Sequence, residues 1–368
     1  MAVSYYKTAR KWLLQTAPAQ YYREFQLRKN IPNYCINKNS IQPPKSNHVV
    51  FLCPANDTPI GGIKVIFNQS AIINSLEKKL EASILFPMNP KFKCTWFNHD
   101  AIFKNNLEFN LQNDFVMIPE FWAVPHARLL HALGIKYGIY VQNGYSIAFN
   151  SGKELDAAYR NAALILGISE DTVDCIKMAF PECSDRVCRV HCSVNTDTFT
   201  ASHNKENIIC YMPRKLKNHT QLVRFFLSKH LPENWEIVSI DGLTEDGVAA
   251  ILAKSRIFLS FAEFEGLSLP PIEAALSGCY VIGYTGEAAK EYWDSEIFTE
   301  IHTGDIKAFA NAILSKINEI DLQPTLPNTL AIQSLAIRYS AKIELADMRM
   351  VSNKLIAILN THTPTCLK

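Results

Sequence analysis

Short apolar runs alternate with amphipathic stretches along most of the chain. Residues 48–53, 163–168 and 280–284 are as apolar as buried strands, and a stretch such as 306–317 has apolar residues at helical spacing. Strands that alternate with helices indicate βαβ units, in which the strands form parallel sheets. The pattern therefore predicts an α/β protein.

The stretch 261–284 has the most informative pattern, with the sequence FAEFEGLSLPPIEAALSGCYVIGY. An acidic loop at Glu263 and Glu265 precedes a short helix, for which Ser268 is a suitable N-cap. The two prolines fit the first turn of that helix, and Gly278 fits the position just past its end. We expect a loop, a short helix, a turn and a buried strand.

The start of this short helix is a candidate anion site. The backbone N–H groups of Gly266, Leu267, Ser268 and Leu269 lie at the positive end of the helix dipole, where phosphates bind readily. Glu265 precedes the helix, and a second carboxylate, at position 273, lies one turn inside it. Such a site suits a ligand that carries phosphates together with several hydroxyl groups.

These residues resemble the donor-site signature of retaining glycosyltransferases of the GT-B fold, the group 1 type related to glycosyltransferase family 4. The family motif E-x7-E is matched by Glu265 and Glu273, with G-L-S-L-P-P after the first and A-A after the second. An ordinary capped helix on a parallel sheet gives the same hydrophobic pattern and stays open as an alternative. The resemblance implies two Rossmann-like domains with parallel sheets facing a central cleft.

The resemblance also implies roles for the matched residues. Glu265 would orient the donor sugar and stabilise positive charge at its anomeric carbon, and Glu273 would accept the ribose hydroxyls. The basic turn Arg214, Lys215 and Lys217 would hold the pyrophosphate, although many family members have an arginine where this chain has methionine. A solvated basic turn would look the same.

Two further groups are candidate ligand contacts. Gly61 and Gly62 follow the first predicted strand, where the family places a glycine pair under the donor phosphates. Glu120, Asn143 and Tyr145 follow later strands, and ligands bind beyond the carboxyl ends of such strands. We expect these three at the acceptor cleft, although Glu120 and Asn143 could equally be turn residues.

Four segments follow from these patterns. Residues 1–48 form a basic extension, 49–203 an N-terminal Rossmann-like acceptor domain, and 204–340 a C-terminal Rossmann-like domain for the nucleotide sugar. Residues 341–368 form a C-terminal helix that, in this fold, commonly returns to the N-terminal domain.

Charge is distributed unevenly between these segments. The net charge of +2 implies no polyelectrolyte partner. Residues 1–48 hold eight basic residues and one acidic residue, or +7, so the remaining residues sum to −5. With their interfacial aromatics they suit an anionic membrane surface, or a helix packed on the body with a solvated basic face.

The predicted function is a retaining, metal-independent hexosyl or deoxyhexosyl transferase. It would move a sugar from a nucleotide-diphosphate sugar to a glycan, lipid-linked or other hydroxyl acceptor, with no cofactor and no nucleic-acid partner. Scattered cysteines and the lack of a long apolar run indicate a cytoplasmic protein, with peripheral contact at the inner membrane face left open. The alternative is a binding or regulatory protein of the same fold.

Overall fold

The computed structural model describes residues 32–37, 46–57, 60–76, 79–149, 152–202, 204–324 and 326–361. Most of the predicted basic extension, and with it the predicted membrane contact, lies outside these residues. The predicted α/β class is confirmed, since helices and parallel strands alternate through the described chain.

One large sheet has six strands. They are β2 (Asn47–Leu52), β3 (Leu80–Leu85), β5 (Asp114–Pro119), β6 (Lys136–Val141), β7 (Leu164–Gly167) and β8 (Val187–Arg189). Their order is β3-β2-β5-β6-β7-β8, and the pairs β2–β3, β2–β5 and β5–β6 are parallel. Two short strands, β1 (Cys35–Ile36) and β4 (Glu108–Phe109), form a separate parallel pair.

The second large sheet has five strands. They are β9 (Ile208–Tyr211), β10 (Glu236–Ser239), β11 (Ile257–Glu265), β12 (Tyr280–Glu287) and β13 (Phe298–Glu300). Their order is β10-β9-β11-β12-β13 and every pair is parallel. The carboxyl ends of β9, β11 and β12 are therefore neighbours on one edge of this sheet.

Ten α-helices connect the strands of the described chain. They are α1 (Gly61–Ser75), α2 (Ala123–Ala132), α3 (Lys153–Asn161), α4 (Glu170–Ala179), α5 (Lys217–Leu227), α6 (Glu245–Lys254), α7 (Leu269–Leu276), α8 (Ile306–Leu322), α9 (Thr329–Arg338) and α10 (Ala341–Asn360).

The chain divides into two compact units. One is made of Met1–Tyr140, Asn150–Ile165 and Ser352–Lys368, and the other of Val141–Phe149 and Leu166–Val351.

Both faces of the five-stranded sheet are buried. Ile257, Leu259 and Phe261 belong to one hydrophobic cluster, and Phe258 and Val281 belong to a second cluster that includes residues of α7. A parallel sheet covered by helices on both faces has continuous apolar strands rather than alternating ones. This explains why the sequence shows unbroken apolar runs at β11 and β12.

The prediction for the end of β11 was wrong. The expected loop at Glu263 and Glu265 instead forms the last residues of strand β11. The strand pairs with β12 up to Glu265, which lies opposite Glu287. The register shifts between Ala262 and Glu265, so the strand continues through an irregularity. The acidic residues are therefore held by the sheet and not by a free loop.

Candidate functional site

The short helix α7 begins and ends as the sequence predicts. Gly278 has φ +81°, and the bonds Gly278 N–H to Ala275 O and Cys279 N–H to Ala274 O, both 2.9 Å, form a Schellman motif. Ser268 is the N-cap residue, but its side chain makes no capping hydrogen bond. An N-cap side chain bonds the N–H of the second or third helical residue, and here both are prolines without an N–H.

The prolines also determine which backbone donors remain at this helix start. The first N–H groups of a helix have no intrahelical partner, and Pro270 and Pro271 contribute none. The remaining donors belong to Ser268 and Leu269 and to the residues just before them. Ser268 O accepts a 2.5 Å hydrogen bond from the buried Tyr292 hydroxyl, which fixes the segment that carries these donors.

Gly266 lies directly against the backbone that follows β6. A Cβ at this position would be 1.7 Å from Gln142 O and 2.7 Å from Asn143 Cα. Thr172, in the first turn of α4, donates its hydroxyl to Gly266 O at 3.3 Å. Only glycine allows this approach, so the residue after Glu265 is fixed against a second backbone segment.

A lysine from the predicted basic turn contacts the predicted catalytic carboxylate. Lys215 Nζ forms an ion pair with Glu265 Oε1, while Arg214 and Lys217 are exposed in the same turn and at the start of α5. Met212, at the place of the family's arginine, packs against the hydrophobic cluster of the sheet. The position next to Glu265 is therefore occupied by Lys215, one of the three residues predicted to hold the pyrophosphate.

Backbone strain is concentrated at this edge of the sheet. Leu216, Phe264 and Glu287 have φ of 42°, 48° and 70°, and they are the non-glycine residues with positive φ in the described chain. They follow β9 or lie at the ends of β11 and β12, which are adjacent strands. Such conformations cost about 1–3 kcal/mol each and cluster at functional sites.

Two of the predicted acceptor residues lie beside this edge. Asn143 Nδ2 donates to Phe264 O at 2.8 Å, and its Oδ1 accepts from Tyr145 N–H at 3.0 Å. The Tyr145 and Phe264 rings are 5.1 Å apart, and Phe264 is 56% exposed. Asn143 thus acts as a turn residue and also positions Phe264, the residue directly before Glu265.

Sequence reasoning missed Phe264 and Asp171. Asp171 Oδ1 accepts a 3.0 Å hydrogen bond from the Tyr145 hydroxyl, and its other oxygen is buried without a partner. Burial, and then the negative charges of Glu287 and Asp174, raises the pKa of Asp171. The only signal in the sequence was its position in the first turn of a helix that follows a strand.

Glu273 lies one turn inside α7 and is half-buried. The pKa of the buried Tyr292 hydroxyl is raised mainly by burial and then by Tyr339. The negative charges of Glu291, Glu265 and Glu273 raise it further. The two glutamates of the E-x7-E motif therefore both raise the pKa of the same buried tyrosine.

The remaining predicted residues belong to the other compact unit. Gly61 and Gly62 are the first two residues of α1, with no neighbour within 4 Å of a Cβ on Gly61. Glu120 is buried at the carboxyl end of β5, in a 3-10 turn with Phe121 and Trp122. The donor contact at Gly61 and Gly62 and the acceptor contact at Glu120 remain predictions.

The described residues contain no group of three or more His, Cys, Asp or Glu side chains arranged to hold a metal ion. None of their helices combines the length and the apolar character that crossing a bilayer requires.

The chain is similar to glycosyltransferases in sequence and in structure. An α-1,6-glucosyltransferase from Actinobacillus pleuropneumoniae serotype 7 is 30% identical over 155 residues, which cover 39% of this chain and 47% of that protein. The chain thus matches about half the length of this curated relative. No protein-family model matches.

The solved structures extend the similarity to most of the chain. Sucrose-phosphate synthase from Thermosynechococcus elongatus has a TM-score of 0.61 and 11% identity, over 85% of this chain and all of that one. HepE from Anabaena, solved with UDP and glucose, has a TM-score of 0.59 and 12% identity over the same shares. The chain therefore has the GT-B fold that these glycosyltransferases share.

Proposed function

We propose that this protein is a retaining glycosyltransferase that takes a sugar from a nucleotide-diphosphate sugar. The observation that carries the proposal is the ion pair between Lys215 and Glu265, the last residue of β11 and four residues before α7 begins. It brings a cation, a carboxylate and free helix N–H groups together on the edge shared by β9, β11 and β12. The cation and the N–H groups can donate hydrogen bonds to a diphosphate, and the carboxylate can accept hydrogen bonds from sugar hydroxyls.

In the proposed reaction, Glu265 orients the donor hydroxyls and stabilises the positive charge that develops at the anomeric carbon. Glu273 accepts the ribose hydroxyls. The N–H groups of Gly266, Leu267, Ser268 and Leu269 stabilise the leaving diphosphate electrostatically, together with the basic turn 214–217. Gly61 and Gly62 remain candidate contacts for the donor phosphates.

The bond from the anomeric carbon to the diphosphate oxygen breaks, and the bond to the acceptor oxygen forms on the same face of the sugar. The leaving phosphate takes the acceptor proton, so this step requires no carboxylate base. The cations of the turn 214–217 stabilise the charge of the leaving diphosphate in the place of a metal ion. Asp171 bonds Tyr145 and is in this scheme a positioning residue.

The acceptor is a hydroxyl of a glycan, a lipid-linked sugar or another molecule. The exposed Phe264 ring, backed by Tyr145, offers an apolar face on which a sugar ring can lie beside Glu265. Glu120 and Asn143 remain candidate acceptor contacts. The name of the curated relative makes UDP-glucose the first hexosyl donor to test.

The test has two stages. A thermal-shift screen of UDP, GDP, dTDP and ADP should raise the unfolding temperature for at least one, with an affinity of about 1 µM to 1 mM. NMR of the transfer product should then show the anomeric configuration of the donor. An inverted product would contradict the retaining mechanism. Binding of no nucleotide would favour the alternative, a binding or regulatory protein with this fold. The partly buried Met212, at a position where many family members have arginine, motivates this alternative.

A further inference from the structure

Two carbonyl oxygens just before α7 accept hydrogen bonds from buried hydroxyl groups. Gly266 O accepts from the Thr172 hydroxyl at 3.3 Å, and Ser268 O accepts from the Tyr292 hydroxyl at 2.5 Å. Both donor side chains are buried. The two carbonyl groups therefore point towards the packed interior of the unit that carries Glu265.

The trans peptide bond determines where the neighbouring N–H groups point. The described chain contains no cis peptide bond. In a trans peptide group the C=O of one residue and the N–H of the next lie in one plane and point in opposite directions. The N–H of Leu267 therefore points away from Thr172, and the N–H of Leu269 points away from Tyr292.

The same two hydrogen bonds strengthen these N–H donors. A carbonyl that accepts a hydrogen bond polarises its peptide group, and this polarisation strengthens a bond made by the N–H of that group by about 10–30%. Leu267 and Leu269 share their peptide groups with the two bonded carbonyls. Leu269 is also the first residue of α7, so its N–H lies at the positive end of the helix dipole and has no intrahelical partner.

The Tyr292 side chain is held on several sides. Its ring centre is 5.7 Å from that of Tyr339 and 5.6 Å from that of Phe298. The preceding residue, Glu291, accepts a 2.6 Å hydrogen bond from the Tyr339 hydroxyl and forms a 2.6 Å ion pair with Arg189. Burial, and then Tyr339, raises the pKa of Tyr292, so its hydroxyl keeps the proton that it donates.

The Thr172 hydroxyl is oriented by the N-cap of α4. The Ser169 hydroxyl accepts from the Thr172 N–H at 3.0 Å and donates to Thr172 Oγ1 at 2.9 Å. Since a hydroxyl has one proton, Thr172 accepts from Ser169 and donates its own proton to Gly266 O. Hydrogen bonds in such a chain polarise one another.

We propose that Thr172 and Tyr292 are positioning residues that direct the N–H groups of Leu267 and Leu269 at the diphosphate of the donor. This inference rests on the proposed function and singles out two of the four N–H donors around the start of α7. The two hydroxyls bond the carbonyls and do not contact the ligand. Their effect is confined to ligands that carry phosphate oxygens.

Two variants remove the hydroxyls and retain most of the packed volume, namely Thr172→Val and Tyr292→Phe. Each should weaken binding of UDP about two- to fivefold in calorimetry, and the double variant should weaken it by roughly the product. Binding of uridine, followed by NMR titration, should not change, because uridine has no phosphate. If the thermal-shift screen selects another nucleotide, its diphosphate and its nucleoside replace this pair. A merely structural role would change both affinities together.

Tyr137→Phe is the matched control. The buried Tyr137 hydroxyl donates to Ala158 O at 2.8 Å in the other compact unit, so this variant loses the same type of hydrogen bond. It should bind UDP as the wild type does.

The outcomes separate this proposal from the proposed function. Wild-type UDP affinity in both hydroxyl variants, or equal losses for UDP and uridine, would overturn the proposal and leave the proposed function intact. Failure of the wild type to bind UDP, GDP, dTDP or ADP would overturn both.

Discussion

Replacing Gly266 by alanine should displace the segment that follows Glu265. A Cβ there would lie 1.7 Å from Gln142 O, 2.6 Å from Gln142 C and 2.7 Å from Asn143 Cα. Ordinary contact begins near 3.4 Å, so the two backbone segments must separate by about 1.7 Å (3.4 minus 1.7). All three atoms belong to backbone, so no side chain can rotate away to make room.

This movement predicts two effects of different size. Overpacking of this kind costs about 1–3 kcal/mol of stability. Misplacement of a reacting group by about 1 Å can cost about 10²-fold in rate. We therefore expect Gly266→Ala to unfold at a moderately lower temperature and to lose about 10²-fold or more in kcat, because Glu265 moves with its neighbour.

The assay combines thermal unfolding by circular dichroism with release of UDP from UDP-glucose, measured with and without acceptor. Gly61→Ala is the matched stability control, since a Cβ there meets nothing within 4 Å. It should unfold at the wild-type temperature. A Gly266→Ala variant that keeps wild-type stability and a kcat within twofold of wild type would refute the reasoning.

Three further variants follow from the site and the core. Glu265→Gln removes the carboxylate that is paired with Lys215 and should lower kcat about 10²–10³-fold with an unchanged unfolding temperature. The control Glu263→Gln, at an exposed neighbouring position, should retain activity, and equal rates for Glu265→Gln and wild type would exclude a catalytic role for Glu265. Lys217→Gln should weaken UDP binding about tenfold in calorimetry. The control Lys229→Gln, just past the other end of α5, should leave UDP binding unchanged. Weaker binding by the control than by Lys217→Gln would contradict the placement of the diphosphate. His126 is buried against Tyr34, and burial lowers its pKa to about 4. As the pH falls, the imidazole is therefore protonated in the unfolded chain before it is protonated in the folded protein. The free energy of unfolding should fall as the pH drops from about 6.5 to about 4. His126→Gln should reduce this acid loss by roughly 3 kcal/mol, and identical pH profiles for the variant and wild type would contradict the assignment.

The elements around the candidate site were predictable where local rules apply. The N-cap position of Ser268, the prolines in the first turn of α7 and the stop at Gly278 follow from backbone chemistry that a short stretch carries in full. The apolar strands β11 and β12 were visible for the same reason, since both faces of their sheet are buried.

Contacts between distant segments could not be predicted in this way. The extension of β11 to Glu265 depends on pairing with β12, and the ion pair of Lys215 with Glu265 joins residues that are 50 positions apart in the sequence. Phe264 and Asp171 became candidates only when the structure placed Tyr145 between them. The glycine at 266 was predicted as an anion contact, but its packing against Gln142 has no signal in the sequence.

The position of a bound nucleoside diphosphate tests the central claim most directly. A crystal structure of the chain with UDP should show the diphosphate on the N–H groups of residues 267–269, with a cation of the 214–217 turn within hydrogen-bond distance. The ribose should lie at Glu273. A well-ordered diphosphate elsewhere on the chain, with these N–H groups and Lys215 out of contact with it, would contradict the account.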